Sequence, residues 1–167
     1  AASETKTASG NTKTTSSEEV LNAPVNGKII PNDQIADDTF AAEVLGKTVA
    51  IEPADGIITA PCDGEIVSIF DTGHAVCILT DGGAELLIHV GIDTVKMDGT
   101  GFTKKVSDGA KVHAGDVLIK ADLNAIKEAG HPATTMMILT NTDLYDSVEC
   151  AAPGTVTGKS SVMKLTK

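Results

Sequence analysis

Short apolar runs alternate with polar turns through most of this chain. From Thr48 onward the runs have the length of strands, and Asp-Gly and other glycine turns recur between them. The pattern indicates an all-β fold, an antiparallel sandwich or barrel. Strands are predicted near 25–30 and at 48–53, 56–61, 64–70, 75–80, 84–90, 111–112, 117–121, 135–140, 155–157 and 162–166.

The remaining segments predict one or two short helical turns and a polar tail. Asp37 is a suitable N-cap for a helical turn that ends at Gly46. A second short helix is predicted over 123–130, where a glycine stops it. Residues 1–22 are rich in Ser and Thr and contain too few apolar side chains to offset the entropy of ordering. We therefore expect a flexible linker over 1–22 and one domain over 23–167, and a linker at the front favours fusion to other domains.

Composition narrows the classes of function. The formal net charge of −10 argues against a nucleic-acid binder and suits a partner with a basic docking surface. Cys62, Cys77 and Cys150 are widely spaced and odd in number, so we expect buried free thiols in a reducing cytosol rather than a disulfide framework. No signal peptide or membrane-spanning apolar run is visible. A cytoplasmic location is the resulting expectation.

The candidate chemistry lies at His89, within the most apolar short run of the chain, 85–94. His74 lies just before the preceding predicted strand, and the glycine turn at 81–83 would join the two strands as a hairpin. Such a hairpin brings both histidines to one face of a sheet, with the Asp93 carboxylate nearby. We predict that this pair of histidines is the functional site.

These motifs, taken together, resemble the glucose-type enzyme IIA domain of the bacterial phosphoenolpyruvate-dependent sugar phosphotransferase system. The resemblance covers about residues 23–167. It implies a β-sandwich of the barrel-sandwich hybrid type built from a duplicated motif, and no cofactor. The motifs that carry it lie at 60–70, 72–75, 85–96, 99–102 and 112–116.

The resemblance also implies roles for individual residues. His89 matches the histidine that accepts a phosphoryl group from the histidine phosphocarrier protein and passes it to a cysteine of an enzyme IIB domain, which drives phosphorylation of a transported sugar. His74 matches the partner that stabilises the phosphoryl group, and Thr72 the residue that hydrogen-bonds His74. Gly91 matches the residue whose carbonyl orients the nucleophilic ring, and Asp93 an acidic residue that faces the incoming partner. The chain is expected either to act alone or to be fused to IIB and IIC domains that tether it to the membrane.

A carrier of this kind needs a small apolar docking patch around its histidines, with an acidic rim. The helical turn before Gly46 and the flanks of the histidine strands supply the candidates. Ordinary core packing is the alternative for each of them, and for Phe70 the two alternatives are evenly balanced. The predicted docking patch consists of Phe40, Val44, Leu45, Phe70 and Val95.

Two alternatives concern other chemistry. Two histidines and an aspartate also suit zinc, but the sequence lacks the close ligand spacing of a zinc enzyme, so such a site would need a ligand from a partner. The run 162–165 looks like the Met-Lys hairpin of biotin-accepting domains, yet Lys164 lies too near the end of the chain for a second strand to follow. His113 lies in a polar turn and His131 precedes Pro132 in a loop, and both are expected to be ordinary surface residues or residues whose hydrogen bonds are satisfied.

Overall fold

The structure, a computed structural model, describes residues 18–167. Two short helices, Asp38–Ala41 (α1) and Leu123–Glu128 (α2), occur in this part of the chain, with 3-10 turns at Asn32–Gln34, Thr94–Met97 and Thr142–Leu144. The remaining elements are strands: Glu18–Asn22 (β1), Gly27–Ile30 (β2), Lys47–Pro53 (β3), Ile57–Thr59 (β4), Gly64–Ile69 (β5), Ala75–Thr80 (β6), Glu85–Val90 (β7), Phe102–Lys104 (β8), Lys111–Val112 (β9), Val117–Ala121 (β10), Thr135–Leu139 (β11), Ser147–Cys150 (β12), Gly154–Val156 (β13) and Ser161–Thr166 (β14).

The strands form three antiparallel sheets. The largest has eight strands in the order β13-β2-β3-β11-β7-β6-β5-β9, and two smaller sheets have the orders β1-β14-β12 and β4-β10-β8. One apolar core is shared by all three sheets, with Ile51, Leu118 and Leu165 among its fully buried members. The predicted all-β antiparallel sandwich with few short helices is therefore confirmed.

Side chains on β7 alternate between the core and the outer face of the large sheet. Leu86, Ile88 and Val90 are buried in the shared core, whereas Leu87 and His89 point to the opposite face and are half-buried. A strand with a period of two residues produces this division, as the sequence pattern predicts.

A second, smaller apolar cluster covers part of that outer face. Every residue of β11 is buried, because its two faces contribute to different clusters. The segment 31–46, which contains α1, lies over this region, and its residues Ile35, Phe40 and Ala41 pack with the outer-face side chains. This cluster therefore brings α1 close to His89.

Two predictions about segment boundaries are wrong. Residues 18–22 do not belong to a flexible linker, because β1 pairs with β14 and its Leu21 side chain is fully buried; the rest of the predicted linker, 1–17, lies outside the described residues. The predicted helical turn exists, with the Asp37 carboxylate accepting hydrogen bonds from the first backbone N–H groups, but α1 ends at Ala41. The segment 42–46 forms the turn that follows the helix.

The prediction of buried thiols is also wrong. The cysteines are free, but Cys62 and Cys77 are half-buried and Cys150 is exposed. Cys150 lies on β12, an edge strand that has a neighbour on one side only, and Cys77 faces outward opposite Leu87. Among the described residues, no helix has the length and apolarity needed to cross a bilayer.

Candidate functional site

The hairpin of β6 and β7 brings His74 and His89 together. His89 pairs with Ala75, the residue that follows His74, in the antiparallel register of the two strands. The two imidazole rings meet edge to face, with centroids 4.9 Å apart and an interplanar angle of 79°. His74 is buried, with 2% of its surface exposed, while His89 is half-buried on the outer face of the sheet.

The backbone of Gly91 defines the tautomer of His89. The Nδ1 atom of His89 lies 2.8 Å from the carbonyl oxygen of Gly91. Because a carbonyl oxygen only accepts hydrogen bonds, Nδ1 carries the proton and donates. In the neutral ring the Nε2 atom then holds a free electron pair. Gly91 adopts a φ of +81°, a conformation that glycine reaches without steric cost.

His74 is held by the side chain of Thr72, with 2.5 Å between Thr72 Oγ1 and His74 Nδ1. When the hydroxyl donates this bond, Nδ1 accepts it and Nε2 of His74 carries the proton. The pair of rings then offers one bare nitrogen, from His89, and one N–H donor, from His74. Such an arrangement suits a nucleophile next to a donor for an anionic group.

Burial keeps both rings neutral at physiological pH. Burial, followed by the neighbouring His89, lowers the pKa of His74 from 6.5 to about 4. Burial also lowers the pKa of His89, although the hydrogen bond with Gly91 and the carboxylates of Asp37 and Asp93 act in the opposite direction. A neutral His89 has the unprotonated nitrogen that nucleophilic attack requires.

Aromatic side chains flank the two histidines. The Phe40 ring lies 5.0 Å from the His89 ring at an interplanar angle of 52°. The Phe70 ring lies 5.2 Å from the His74 ring at an angle of 80°. Four rings thus follow one another in the order Phe40, His89, His74 and Phe70, so that each histidine packs against a phenylalanine ring.

The residues of the predicted docking patch are mostly exposed. Val44 is 68% exposed, Val95 50%, and Leu45 and Phe70 each 43%. The alternative of ordinary core packing is wrong for these four side chains. Phe40 is half-buried, because it also packs against the smaller apolar cluster. The docking role of these side chains stays a prediction.

Acidic side chains lie close to the site from two different loops. Asp93 is exposed, adopts a left-handed conformation with φ +60°, and immediately precedes the 3-10 turn Thr94–Met97. Asp37, the N-cap of α1, was predicted only as a helix cap, yet its carboxylate also acts on the pKa of His89. The sequence signal for this proximity was weak, because it depends on where the segment 31–46 folds.

The other candidate residues lie in different environments. His113 is exposed, 3.9 Å from the Asp116 carboxylate, and His131 is half-buried in the loop after α2. Lys164 lies within β14, paired on both sides, and forms a salt bridge of 3.3 Å with Glu18. A lysine at the tip of a hairpin, as in biotin-accepting domains, is therefore absent from this position. Residues 18–167 contain no group of three or more His, Cys, Asp or Glu side chains suited to a metal ion.

These features define a class of protein: an all-β domain that presents a pair of neutral histidines, one with a free ring nitrogen, between two aromatic rings. Residues 19–145 match the family described as phosphoenolpyruvate-dependent sugar phosphotransferase system, EIIA 1. The chain belongs to this family.

Relatives of known name support the same assignment. The chain is 43% identical over 150 residues to a "PTS system glucose-specific EIIA component" of Bacillus anthracis, which covers 89% of this chain and 91% of that protein. It is 44% identical over 148 residues to a "PTS system beta-glucoside-specific EIIBCA component" of Dickeya chrysanthemi, covering 89% of this chain but 24% of that longer protein. Among solved structures, the glucose permease IIA from Mycoplasma capricolum matches with a TM-score of 0.80 and 33% identity over 89% of this chain and 96% of that one.

Proposed function

We propose that the chain is a phosphoryl carrier in sugar uptake, and that Nε2 of His89 is the atom that accepts the phosphoryl group. The observation that carries this proposal is the 2.8 Å hydrogen bond between His89 Nδ1 and the Gly91 carbonyl. It leaves Nε2 with a free electron pair on a ring that burial keeps neutral. Membership of the enzyme IIA family supports the same assignment.

The phosphoryl donor in this proposal is the phosphohistidine of the histidine phosphocarrier protein. The electron pair of His89 Nε2 attacks the phosphorus, the N–P bond of the donor breaks, and its electron pair returns to the donor ring. In the onward step a cysteine thiolate of an enzyme IIB domain attacks the same phosphorus, and the electron pair of the broken N–P bond returns to His89. Positioning and charge stabilisation dominate such transfers.

His74 stabilises the transferred group, and Thr72 positions His74. The N–H of His74 Nε2 lies on the ring that meets His89 edge to face, so it can donate to a phosphoryl oxygen. The Thr72 hydroxyl occupies His74 Nδ1 and thereby keeps the proton on Nε2. This donor is most useful when negative charge increases on the phosphoryl oxygens in the transition state.

The docking patch receives both partners in turn. The rings of Phe40 and Phe70 flank the two histidines, and the carboxylates of Asp37 and Asp93 supply negative charge beside His89. A partner with a basic face around its reacting group would be steered to this surface. A small interface of this type permits fast release, which a carrier needs between its donor and its acceptor.

The cellular arrangement follows from the partners. Some relatives are named as an EIIA component alone, and others as a single protein with EIIBCA or EIICBA components. An enzyme IIA domain therefore works both separately and as part of a longer chain. We place this domain in the cytoplasm, where it meets the phosphocarrier, either free or tethered to the membrane through permease domains. Glucose and β-glucosides, the sugars in the names of the relatives, are the first substrates to test.

Phosphorylation mapping tests the role of His89. The protein is incubated with phosphoenolpyruvate, enzyme I and the phosphocarrier, and an acid-labile, base-stable phosphate is located by mass spectrometry. We expect label on His89, none in His89→Gln, and normal label in His113→Gln, which alters an exposed histidine outside the site. His74→Gln should accept phosphate but transfer it poorly to a IIB domain. Label that persists in His89→Gln would refute the assignment.

A further inference from the structure

Thr94 is a polar residue whose side chain is completely buried next to the site. It begins the 3-10 turn that follows Asp93. Its Oγ1 atom donates a hydrogen bond of 2.5 Å to the carbonyl oxygen of Val90, the last residue of β7 and four residues earlier in the chain. The buried hydroxyl of Thr94 and the buried carbonyl of Val90 thus satisfy each other.

The Val90 carbonyl belongs to the peptide group that leads into Gly91. The N–H of the same peptide group donates to the carbonyl of Thr134 at 2.9 Å. The two edges of this peptide plane are therefore held from opposite sides, by Thr94 and by Thr134. Its rotation, which would change ψ of Val90 and φ of Gly91, requires that both hydrogen bonds break.

The following peptide group is the one that orients His89. Its carbonyl, from Gly91, accepts the hydrogen bond of His89 Nδ1, and its N–H, from Ile92, donates to the Pro132 carbonyl at 3.0 Å. Gly91 thus joins two peptide groups whose four polar atoms all have partners. Two of these four partners are backbone carbonyls, and the other two are the side chains of His89 and Thr94.

Thr94 also fills the space beside Gly91. A Cβ atom added at Gly91 would lie 2.4 Å from Thr94 Cγ2 and 3.0 Å from the Pro132 carbonyl oxygen. The methyl group of Thr94 therefore occupies the side of Gly91 where a side chain would stand. The hydroxyl fixes the peptide plane and the methyl limits the movement of the residue at its centre.

We propose that Thr94 is a positioning residue of the phosphoryl acceptor: it holds the backbone around Gly91 in the orientation that keeps the His89 proton on Nδ1 and the electron pair on Nε2. This inference rests on the proposed function of His89. Without the Thr94 hydroxyl the Gly91 carbonyl gains freedom to turn away, and His89 then loses the partner that selects its tautomer. The neutral ring would distribute its proton over both nitrogens, and fewer molecules would be ready to attack.

Two variants that differ by a single hydroxyl test this role. Thr94→Ser keeps the donor, Thr94→Ala removes it, and both lose the methyl group. The tautomer of His89 is measured from the ¹⁵N chemical shifts of its ring nitrogens at a pH above 7, and phosphate acceptance from the carrier is measured in parallel. We expect the serine variant to keep the wild-type tautomer, and the alanine variant to show a mixed tautomer and a rate of acceptance lower by about tenfold.

Thr80→Val is the matched control. Thr80 is another buried threonine, and its hydroxyl accepts a hydrogen bond from Ala84 N–H. It is the last residue of β6, whereas His74 precedes the first. This variant should lose stability but keep the tautomer and rate of the wild type. Identical His89 spectra and rates in Thr94→Ser and Thr94→Ala would overturn the inference about Thr94, while phosphate on wild-type His89 would still support the proposed function. Absence of phosphate on wild-type His89 would refute the proposed function itself, and the tautomer measurement would still report on Thr94.

Discussion

The backbone N–H of Val90 donates a hydrogen bond of 2.7 Å to the carbonyl oxygen of His74. This bond extends the pairing of β6 and β7 by one residue, to His74, which precedes β6. Because Val90 follows His89 in the chain, the bond links the backbone segments that carry the two histidines. The edge-to-face arrangement of the two rings is therefore a property of the sheet. A substitution of either ring should leave the other in place, so the two roles can be separated by mutation.

The first prediction concerns stability against pH. The pKa of His74 is lowered to about 4 in the folded protein, against about 6.5 in an unfolded chain. Between these values the unfolded chain binds a proton that the folded chain does not, so the free energy of unfolding falls as the pH is lowered from 6.5 to 4 and levels off below. Allowing for solvent screening, we expect His74 to account for about 1–3 kcal/mol of this loss.

Denaturant unfolding measured at several pH values checks this effect. His74→Gln should show a shallower decline of stability between pH 6.5 and 4 than the wild type, because the linked proton is removed. His113→Gln, which changes an exposed ring, should keep the wild-type decline. Equal slopes for the wild type and His74→Gln would mean that His74 titrates normally in the folded state.

The second prediction concerns Gly91. Gly91→Ala should destabilise the domain by about 2–4 kcal/mol, because the new methyl group meets Thr94 and the Pro132 carbonyl and the residue must keep a φ of +81°. Phosphate acceptance should fall as well, since the carbonyl that orients His89 is displaced. Thermal unfolding and phosphorylation kinetics measure the two effects.

Gly109→Ala separates steric contact from backbone strain. Gly109 has a φ of +84°, but a Cβ there would meet no atom within 4 Å. This control should lose only the strain component, about 1 kcal/mol, and keep full phosphate acceptance. A Gly109→Ala variant as damaged as Gly91→Ala would show that the contacts around Gly91 contribute little.

The features that sequence alone predicted are local ones. The β6–β7 hairpin follows from alternation in 85–90 and from the glycine turn before it, so the meeting of His74 and His89 could be predicted from the chain. The contacts with Thr72 and Gly91 came from the family resemblance, because no periodic pattern specifies which carbonyl a ring nitrogen will reach. The roles of all these residues in transfer remain predictions.

The features that sequence missed depend on distant partners. β1 contains two glutamates and follows a Ser/Thr-rich segment, and its order derives from pairing with β14 at the other end of the chain. Asp37 approaches His89 only because the segment 31–46 lies over the outer face of the large sheet. Cys150 was expected to be buried because thiols usually are, but its strand lies at a sheet edge.

The third prediction concerns the docking patch. Val44→Glu should slow phosphate acceptance from the carrier by about tenfold without unfolding the domain, because it places a charge on an apolar side chain that is 68% exposed. Phe40→Ser should also slow acceptance, since it removes the ring beside His89. Acceptance should weaken further as salt is raised, because screening removes the electrostatic steering of a basic partner.

Leu144→Glu provides the control for this surface. Leu144 is 46% exposed and lies against Gly83. Gly83 belongs to the turn before β7, whereas His89 lies near the other end of that strand. The same charge introduced at Leu144 should leave the kinetics of acceptance unchanged. Normal kinetics in Val44→Glu and Phe40→Ser, with no dependence on salt, would place the docking surface elsewhere.

The fourth prediction tests whether β1 belongs to the domain. Leu21 is fully buried in the shared core, whereas Val20, its neighbour on the same strand, is 46% exposed. Leu21→Ala should therefore lower the free energy of unfolding by about 2–5 kcal/mol, and Val20→Ala should change it by less than about 0.5 kcal/mol. Chemical denaturation of the two variants measures both values. Equal, small effects would return residues 18–22 to the linker.

The pairing of β1 with β14 has a consequence for protein engineering. Glu18 and Thr166 are register partners, so the first and last strands of the described chain enter and leave the domain side by side. A short peptide could connect these two points, and new termini could be opened at an exposed turn such as 107–109. The domain is therefore suited to circular permutation and to insertion as a unit into a loop of a host protein, with the paired histidines left untouched.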